Sequence, residues 1–298
     1  MRAGEASVVP VVPARAINFV QSTVPWQPSR LAPGTDHVVV LPQPPAVKLL
    51  TLARDLKRRK GRERQGLFVA EGIRAVEELL DSAIPVRGVL AGPALATTPR
   101  GVQLASVVAD RGISILEVDA AEFASAADTD SPQGILAIAR MPDHRLEDIP
   151  TGGSLRLVLL DGVQDPGNVG TILRTAAAFG VAAVVALPGT VDLWNAKVVR
   201  SAMGASFRLP TVITTIAALT SFLRDRGIVL WGADAHGTPL ESLRPPEALA
   251  IAVGNEGAGL SPPLLEYADS LVAIPIAADT ESLNVAVATG ILLHSLRQ

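Results

Sequence analysis

The 298-residue sequence has no cysteine, and aromatic side chains make up only 3% of it. Without thiols there is no disulfide and no thiolate zinc site, which fits a reducing, cytoplasmic setting. Histidine is scarce too. His37, His144, His236 and His294 stand far apart, with no carboxylate-and-histidine spacing of the kind a metal cage needs, so no metal is expected. The apolar runs are strand-sized and none approaches bilayer-spanning length, so no membrane insertion is expected. No GxGxxG precedes a helix where a dinucleotide would bind. The GxxxxG at 162–167 is followed by Asn168 and Val169 where a P-loop needs Lys and Ser or Thr, which turns the reading away from NAD and ATP.

What is present is a globular composition, 48% hydrophobic against 18% charged, in a chain long enough for two domains. The formal net charge of -3 excludes a protein coated in basic surface, yet the charge is unevenly spread. Residues 48–64, KLLTLARDLKRRKGRER, hold eight Lys or Arg against two acids, a local excess of six. Lys57, Arg58, Arg59, Lys60, Arg62 and Arg64 are its densest part. Such a run reads equally well as a solvated helix face or as a patch for phosphates.

Residues 1–45 carry eight prolines, few charges and no sustained period, and read as a disordered, extended tail. A targeting peptide and a misassigned start are the other readings of this segment. From 46 to 141, LFVAEG, VRGVLAG, ISILEVD and GILAIAR read as strands, with GIRAVEELLDS and AAEFASAAD as helices, which predicts a small α/β domain. PDHRLEDIPTGGS, 142–154, mixes turn residues and charges without periodicity and reads as a linker. A second α/β series fills 155–298. Its strands are LRLVLLD, VAAVVALP, IVLWGAD, ALAIAVG and LVAIPI, with helices over 170–180, WNAKVVRSAMG, IAALTSFLRDRG and 281–297. The strands lack polar alternation, which predicts a parallel sheet covered on both faces. Ligands of such sheets bind in loops beyond the carboxyl ends of the strands.

Three such loops carry polar residues. In DGVQDPGNVG, Asp165 and Asn168 suit turns or helix caps. Arg174 follows in an otherwise apolar helix, where a guanidinium is costly to bury unless something anionic meets it; six residues after Asn168, it is expected to face the same cavity. In AVGNEGAGLSP, Gly254, Gly257 and Gly259 around Glu256 let a ligand approach the backbone closely. In IPIAADTESLNVAVATGILLHSL, Asp279 or Thr280 suits a helix cap, with Ser282 and Asn284 in the first turn and free N–H groups beside them. Together the loops outline one site.

These blocks also carry a family resemblance. DPGNVGTILRTAAAFG, RSAMGASFRLP, VGNEGAGLSP and IPIAADTESLNVAVATGILL resemble, in order and spacing, the signature blocks of the SpoU-type (TrmH-like) RNA ribose 2′-O-methyltransferases of the SPOUT superfamily. ARDLKRRKGRERQGLFVAEGIRAVEELL resembles the start of the small substrate-binding domain that precedes the catalytic domain in many members. The resemblance implies a deep trefoil knot in the 155–298 domain, a homodimer through the knotted region, and S-adenosylmethionine bound in the knot. Implied cofactor contacts are Gly254, Asn255, Glu256, Gly257, Gly259, Leu260, Ile274, Pro275, Ile276, Leu283 and Asn284. Arg174 becomes the central catalytic residue, with Asn168, Glu256, Ser282 and Asn284 around it. The family has cast that arginine as a general base, but a free guanidinium stays protonated, so a grip on the phosphate beside the acceptor is the preferred role, with an ion pair to Glu256 as the bland one.

On the same resemblance the basic run and Arg174 contact RNA. Scarce aromatics leave few stacking platforms, which favours folded RNA, 23S ribosomal RNA ahead of tRNA. A non-catalytic RNA-binding or ribosome-assembly factor is the competing class, and it has no need of all five site residues. Ala286, Ala288 and Gly290 suit either a close dimer contact or ordinary core packing.

Overall fold

The computed structural model describes residues 46–150, 153–277, 279 and 282–297, with side chains from Leu49 onward. The proline-rich segment 1–45 lies outside the described residues. The first half comprises α1 (Ala46–Leu56), α2 (Arg59–Gln65), β1 (Leu67–Glu71), α3 (Ile73–Leu80), β2 (Val86–Ala91), α4 (Pro99–Asp110), β3 (Ile115–Glu117), α5 (Ala120–Ala126) and β4 (Ile135–Arg140). Its strands form one sheet in the order β1-β4-β2-β3, with β4 antiparallel to both neighbours and β2 parallel to β3. The basic run folds as two helices, because Arg58 has extended backbone and Gly66, at φ +62, ends α2 in the left-handed region. Helix α4 is absent from the sequence reading. Its start signals were present: Thr98 Oγ1 accepts from Gly101 N, and Pro99 occupies the first turn.

The 142–154 segment is not a free linker. Leu146 and Ile149 are buried among Leu155, Leu157 and Ala183, and His144 bridges to Val212, so the segment is pinned to the second sheet.

The second half comprises β5 (Leu155–Asp161), α6 (Pro166–Ala178), β6 (Ala183–Ala186), α7 (Ala196–Ser201), β7 (Thr211–Ile213), α8 (Ile216–Asp225), β8 (Val229–Pro239), β9 (Ala248–Gly254), α9 (Pro262–Tyr267), β10 (Ser270–Ala273) and α10 (Val285–Ser295). The sheet runs β10-β8-β9-β5-β6-β7 with parallel pairing throughout. Strand β5 explains the missing polar alternation: Val158 and Leu160 join one core cluster while Leu155, Leu157 and Leu159 join another on the opposite face.

The closing helix starts at Val285, not at 281. Asn284 is its cap, with Oδ1 accepting from Ala286 N at 2.9 Å and Val287 N at 3.3 Å, so Asp279 does not cap it; Thr280 and Glu281 lie outside the described residues. Asn ranks among the strongest caps, and its position one residue before the apolar stretch decides the start.

The two sheets share contacts. The Phe68 ring of β1 lies 4.5 Å from Trp194 and 5.8 Å from Phe207, centroid to centroid. Arg62 pairs with Asp192 at 2.5 Å and Arg208 with Glu78 at 2.5 Å. Among the described residues, no helix is long and apolar enough to cross a membrane.

Candidate active site

Strands β5 and β9 pair down to Asp161 opposite Gly254, so the loops leaving their carboxyl ends start side by side. Buried Asp161 fastens them by accepting from Ser261 N at 2.6 Å. Asn255 donates from Nδ2 to Gly162 O at 2.9 Å, while its Oδ1 accepts from Gly257 N and Ala258 N, both at 3.0 Å. Its backbone N–H and carbonyl both bond Gly259 at 2.9 Å. Every polar group of Asn255 is thus committed to shaping the loop. Gly254 is required by close approach, since a Cβ there would stand 2.2 Å from the carbonyl carbon of Gly259.

Glu256 is exposed, but its carboxylate folds over the start of α6. Its Oε1 accepts from Asn168 Nδ2 at 3.0 Å and Asp165 N at 3.2 Å, and its Oε2 from Gln164 N at 3.2 Å. These are donors a helix start leaves free, and the positive end of the helix favours the charge. Burial pushes this carboxyl up, but the Asn168 amide and the backbone N–H groups of Glu256, Gln164 and Asp165 outweigh it and hold it below the usual carboxylate range. Asp165 caps the helix through Asn168 N at 2.8 Å. Asn168 Oδ1 in turn accepts from Asn284 Nδ2 at 2.9 Å. A relay Asn284–Asn168–Glu256 therefore ties α10, α6 and the loop after β9 into one site.

Arg174 stands apart from that relay. Six residues at 100° each separate it from Asn168 by about 120° around α6, so the two side chains leave the helix in different directions. It is exposed, and its Nη1 contacts Met203 Sδ at 2.8 Å. It is not an ion-pair partner of Glu256, whose oxygens are taken by amide and backbone donors. Ser282 is exposed and makes no hydrogen bond among the described residues. Met203 was not singled out from the sequence, though it sits in the quoted RSAMGASFRLP block.

The cofactor candidates divide by what they expose. Ile276 is 38% exposed despite being apolar, Pro275 is exposed, and Ile274 and Leu283 are half-buried. Gly259, at φ +70, has open space where a side chain would stand. Exposed apolar side chains and accessible backbone are the two kinds of surface an adenosyl group needs. The Leu260 side chain is buried with Leu264, and its Cδ1 would meet a Cβ at position 232 at 2.7 Å, so a contact from this residue would come from its backbone.

Of the basic run, Lys57, Arg58, Arg59, Lys60 and Arg64 are exposed. Lys57 donates to Ala127 O at 2.6 Å, while Arg59 and Arg64 pair with Glu63 and Asp55, each at 2.7 Å. Arg62 is a correction. Its side chain is only 5% exposed, bonds Asp192 Oδ2 and the carbonyls of Leu56 and Lys57, and is unavailable to a phosphate. Among the described residues, no cluster of three His, Asp or Glu could hold a metal ion.

Comparison with known proteins matches residues 155–294 to the SpoU rRNA methylase family and residues 45–137 to an MRM3-like substrate-binding domain. The chain is 36% identical over 245 residues to the 23S rRNA (guanosine(2553)-2′-O)-methyltransferase RlmP of Bacillus subtilis, covering 82% of this chain and 94% of that protein. An S-adenosylmethionine-bound rRNA methyltransferase from Sinorhizobium meliloti superposes with a TM-score of 0.73 at 29% identity, over 85% of this chain and 96% of that one. The SpoU methyltransferase AviRb of Streptomyces viridochromogenes, solved with the same cofactor, superposes with a TM-score of 0.74 at 27% identity, over 83% and 95%. On these matches and the α/β architecture that accompanies them, the chain belongs to the SpoU rRNA methylase family.

Proposed function

We propose that the protein transfers a methyl group from S-adenosylmethionine to a ribose 2′-hydroxyl of structured RNA, with 23S ribosomal RNA as the substrate. The observation that carries this reading is the Asn284–Asn168–Glu256 relay, which joins three chain segments next to the paired carboxyl ends of β5 and β9. Bound S-adenosylmethionine supplies a methyl carbon activated by a sulfonium, with a neutral leaving group. Ile274, Pro275, Ile276 and Leu283 receive its apolar part, and the backbone of 254–260 receives its polar edges. Glu256, held ionised, contributes negative charge near a cationic ligand.

The remaining work is positioning and charge stabilisation. A guanidinium serves as a cation rather than a base, so Arg174 grips the phosphate beside the acceptor and stabilises developing alkoxide charge; that phosphate or a water takes the proton. Its exposure, and the lack of an acidic partner among the described residues, leave the guanidinium available for this. Asn284 and Ser282 orient the acceptor ribose. The B. subtilis relative, named for 23S rRNA, supports ribosomal RNA over tRNA.

In the same reading, 46–141 is the substrate RNA-binding domain, 142–154 its connection, and 155–298 the catalytic domain with a trefoil knot. The packing of α10 against α6, with Arg156 of β5 bonding Leu296 O at 3.3 Å beyond the end of α10, supports a C-terminal segment locked into the sheet. The exposed Val287 and Ile291, one turn apart on α10, support a homodimer through this helix. A ribosomal substrate puts the protein in the cytoplasm.

The test incubates purified protein with methyl-labelled S-adenosylmethionine and unmodified 23S rRNA or tRNA, then maps the label. Ribose label on rRNA is expected; label on a base, or on neither RNA, rejects the reading, and label on tRNA alone reassigns the substrate. Arg174→Ala should lower single-turnover rate by about 10²- to 10³-fold while S-adenosylmethionine still binds.

A further inference from the structure

A depression separate from the cofactor loops lies between the first turn of α3 and the end of α7. It is an open groove of about 350 Å³, in the range of ligand sites. Arg74 and Ala75 of α3, Ser131 and Gln133 of the loop before β4, and Arg200 and Met203 line it. Most of the exposed wall is apolar, while its rim carries two guanidinium groups. Arg74 is exposed and has no ion pair among the described residues. Arg200 is ion-paired with Asp128, whose Oδ2 stands 3.6 Å from a buried Nη1 that makes no hydrogen bond.

Met203 joins this groove to the candidate active site. Its sulfur faces Arg174, and its backbone is held at φ +49, a left-handed conformation in a residue that carries a side chain. Gly204 follows at φ +85 against Glu78, where a Cβ would stand 2.7 Å from the carboxylate. Such strain persists only where the surroundings over-determine it, and it gathers at functional sites. One residue thus both touches the arginine assigned to the acceptor phosphate and lines the groove.

A largely apolar groove flanked by two guanidinium groups, that of Arg74 free of any ion pair among the described residues, is chemistry that receives a nucleotide: the base face lies on carbon and sulfur, and the phosphate meets guanidinium. We propose that this groove seats the nucleotide next to the acceptor, its base on Ala75 and Met203 and its phosphate between Arg74 and Arg200. The proposal rests on the methyltransferase reading above and adds a specificity site to it. The neighbouring nucleotide, seated in the groove, adds binding energy to the RNA whose ribose lies at Arg174 without altering the transfer step.

The test uses the full chain and a 23S rRNA transcript whose methylated nucleotide has been mapped. Arg74→Ala and Ser131→Trp alter exposed positions, the second filling the groove. Both should raise KM for the transcript about tenfold, with kcat within about twofold and S-adenosylmethionine affinity unchanged by calorimetry. An RNA fragment lacking the base on one side of the acceptor should show the same rise with the wild type and no further rise with Ser131→Trp, since the two changes remove one interaction. Unchanged KM in both variants, or losses that add for an abasic site on either side, overturn the groove assignment while methyl transfer by the wild type keeps the function. Absence of transfer by the wild type to rRNA and to tRNA overturns both. If Ser131→Trp does not fold, Arg74→Ala against the abasic fragments decides by the same coupling.

Discussion

Glu256 shows how much of the site depends on a single charge. Its carboxyl is held below the usual range by an amide and three backbone donors that together outweigh burial. A depressed folded value means that the carboxylate stabilises the fold fully above its unfolded pKa, about 4.3 for Glu, and loses that contribution as pH falls through the folded value. Glu256→Gln keeps the shape and removes the charge. The variant should therefore melt below wild type near neutral pH, with the gap closing as the solution is taken to about pH 3. Melting temperatures across that range check it; a gap that stays constant into acid would mean that the charge contributes nothing. Asn255 offers a contrast, because its groups are satisfied within the loop and its identity governs backbone shape rather than ligand chemistry.

At the scale of elements, α10 is apolar on nearly every side, from Val285 to Leu293, and a helix of that kind is covered on nearly every side. Buried Ala286, Thr289 and Leu293 face the core, and Gly290 lies toward Thr175 of α6, while Val287 and Ile291 remain outside, 52% and 37% exposed. The proposed dimer places these two in its contact. Val287→Glu should then convert a dimer to a monomer in sedimentation at micromolar concentration, without loss of helical circular dichroism; a wild type that sediments as a monomer removes the dimer from the reading. The same helix marks where the sequence is legible and where it stops. Apolar runs such as those of β5 and β9 identify themselves, because burial on both faces leaves no polar position. The start of α10 does not, since Asp279, Thr280 and Asn284 are all cap-forming types, and what Asn284 adds is a bond to Asn168, 116 residues away. Arg74, Ser131, Arg200 and Met203 are likewise neighbours only in the folded chain.

Across the whole molecule, the run 57–64 divides its labour in a way that composition hides. Arg62 spans 130 residues of sequence to Asp192, whose other oxygen caps Trp194 N, and Trp194 in turn packs on Phe68. Truncating one partner of a buried ion pair leaves the other charge unpaired and typically costs about 3–5 kcal/mol. Arg62→Ala should accordingly lower the unfolding free energy from denaturant melts by that order, with RNA affinity per folded molecule unchanged. Neutralising Arg58, Arg59 and Lys60 together should do the reverse. These side chains are exposed, and surface pairs such as Arg59 with Glu63 contribute at most about 1 kcal/mol, so stability should hardly move. RNA affinity should fall, and the slope of log affinity against log salt should flatten by roughly 2–3 if all three meet phosphates. Filter binding of 23S rRNA at several salt concentrations, set beside urea melts of both variants, separates the two roles. A triple variant that binds RNA with the wild-type salt slope would return Arg58, Arg59 and Lys60 to a solvated helix face. An Arg62→Ala protein of wild-type stability would mean that the Arg62–Asp192 pair contributes nothing net to holding the two sheets together.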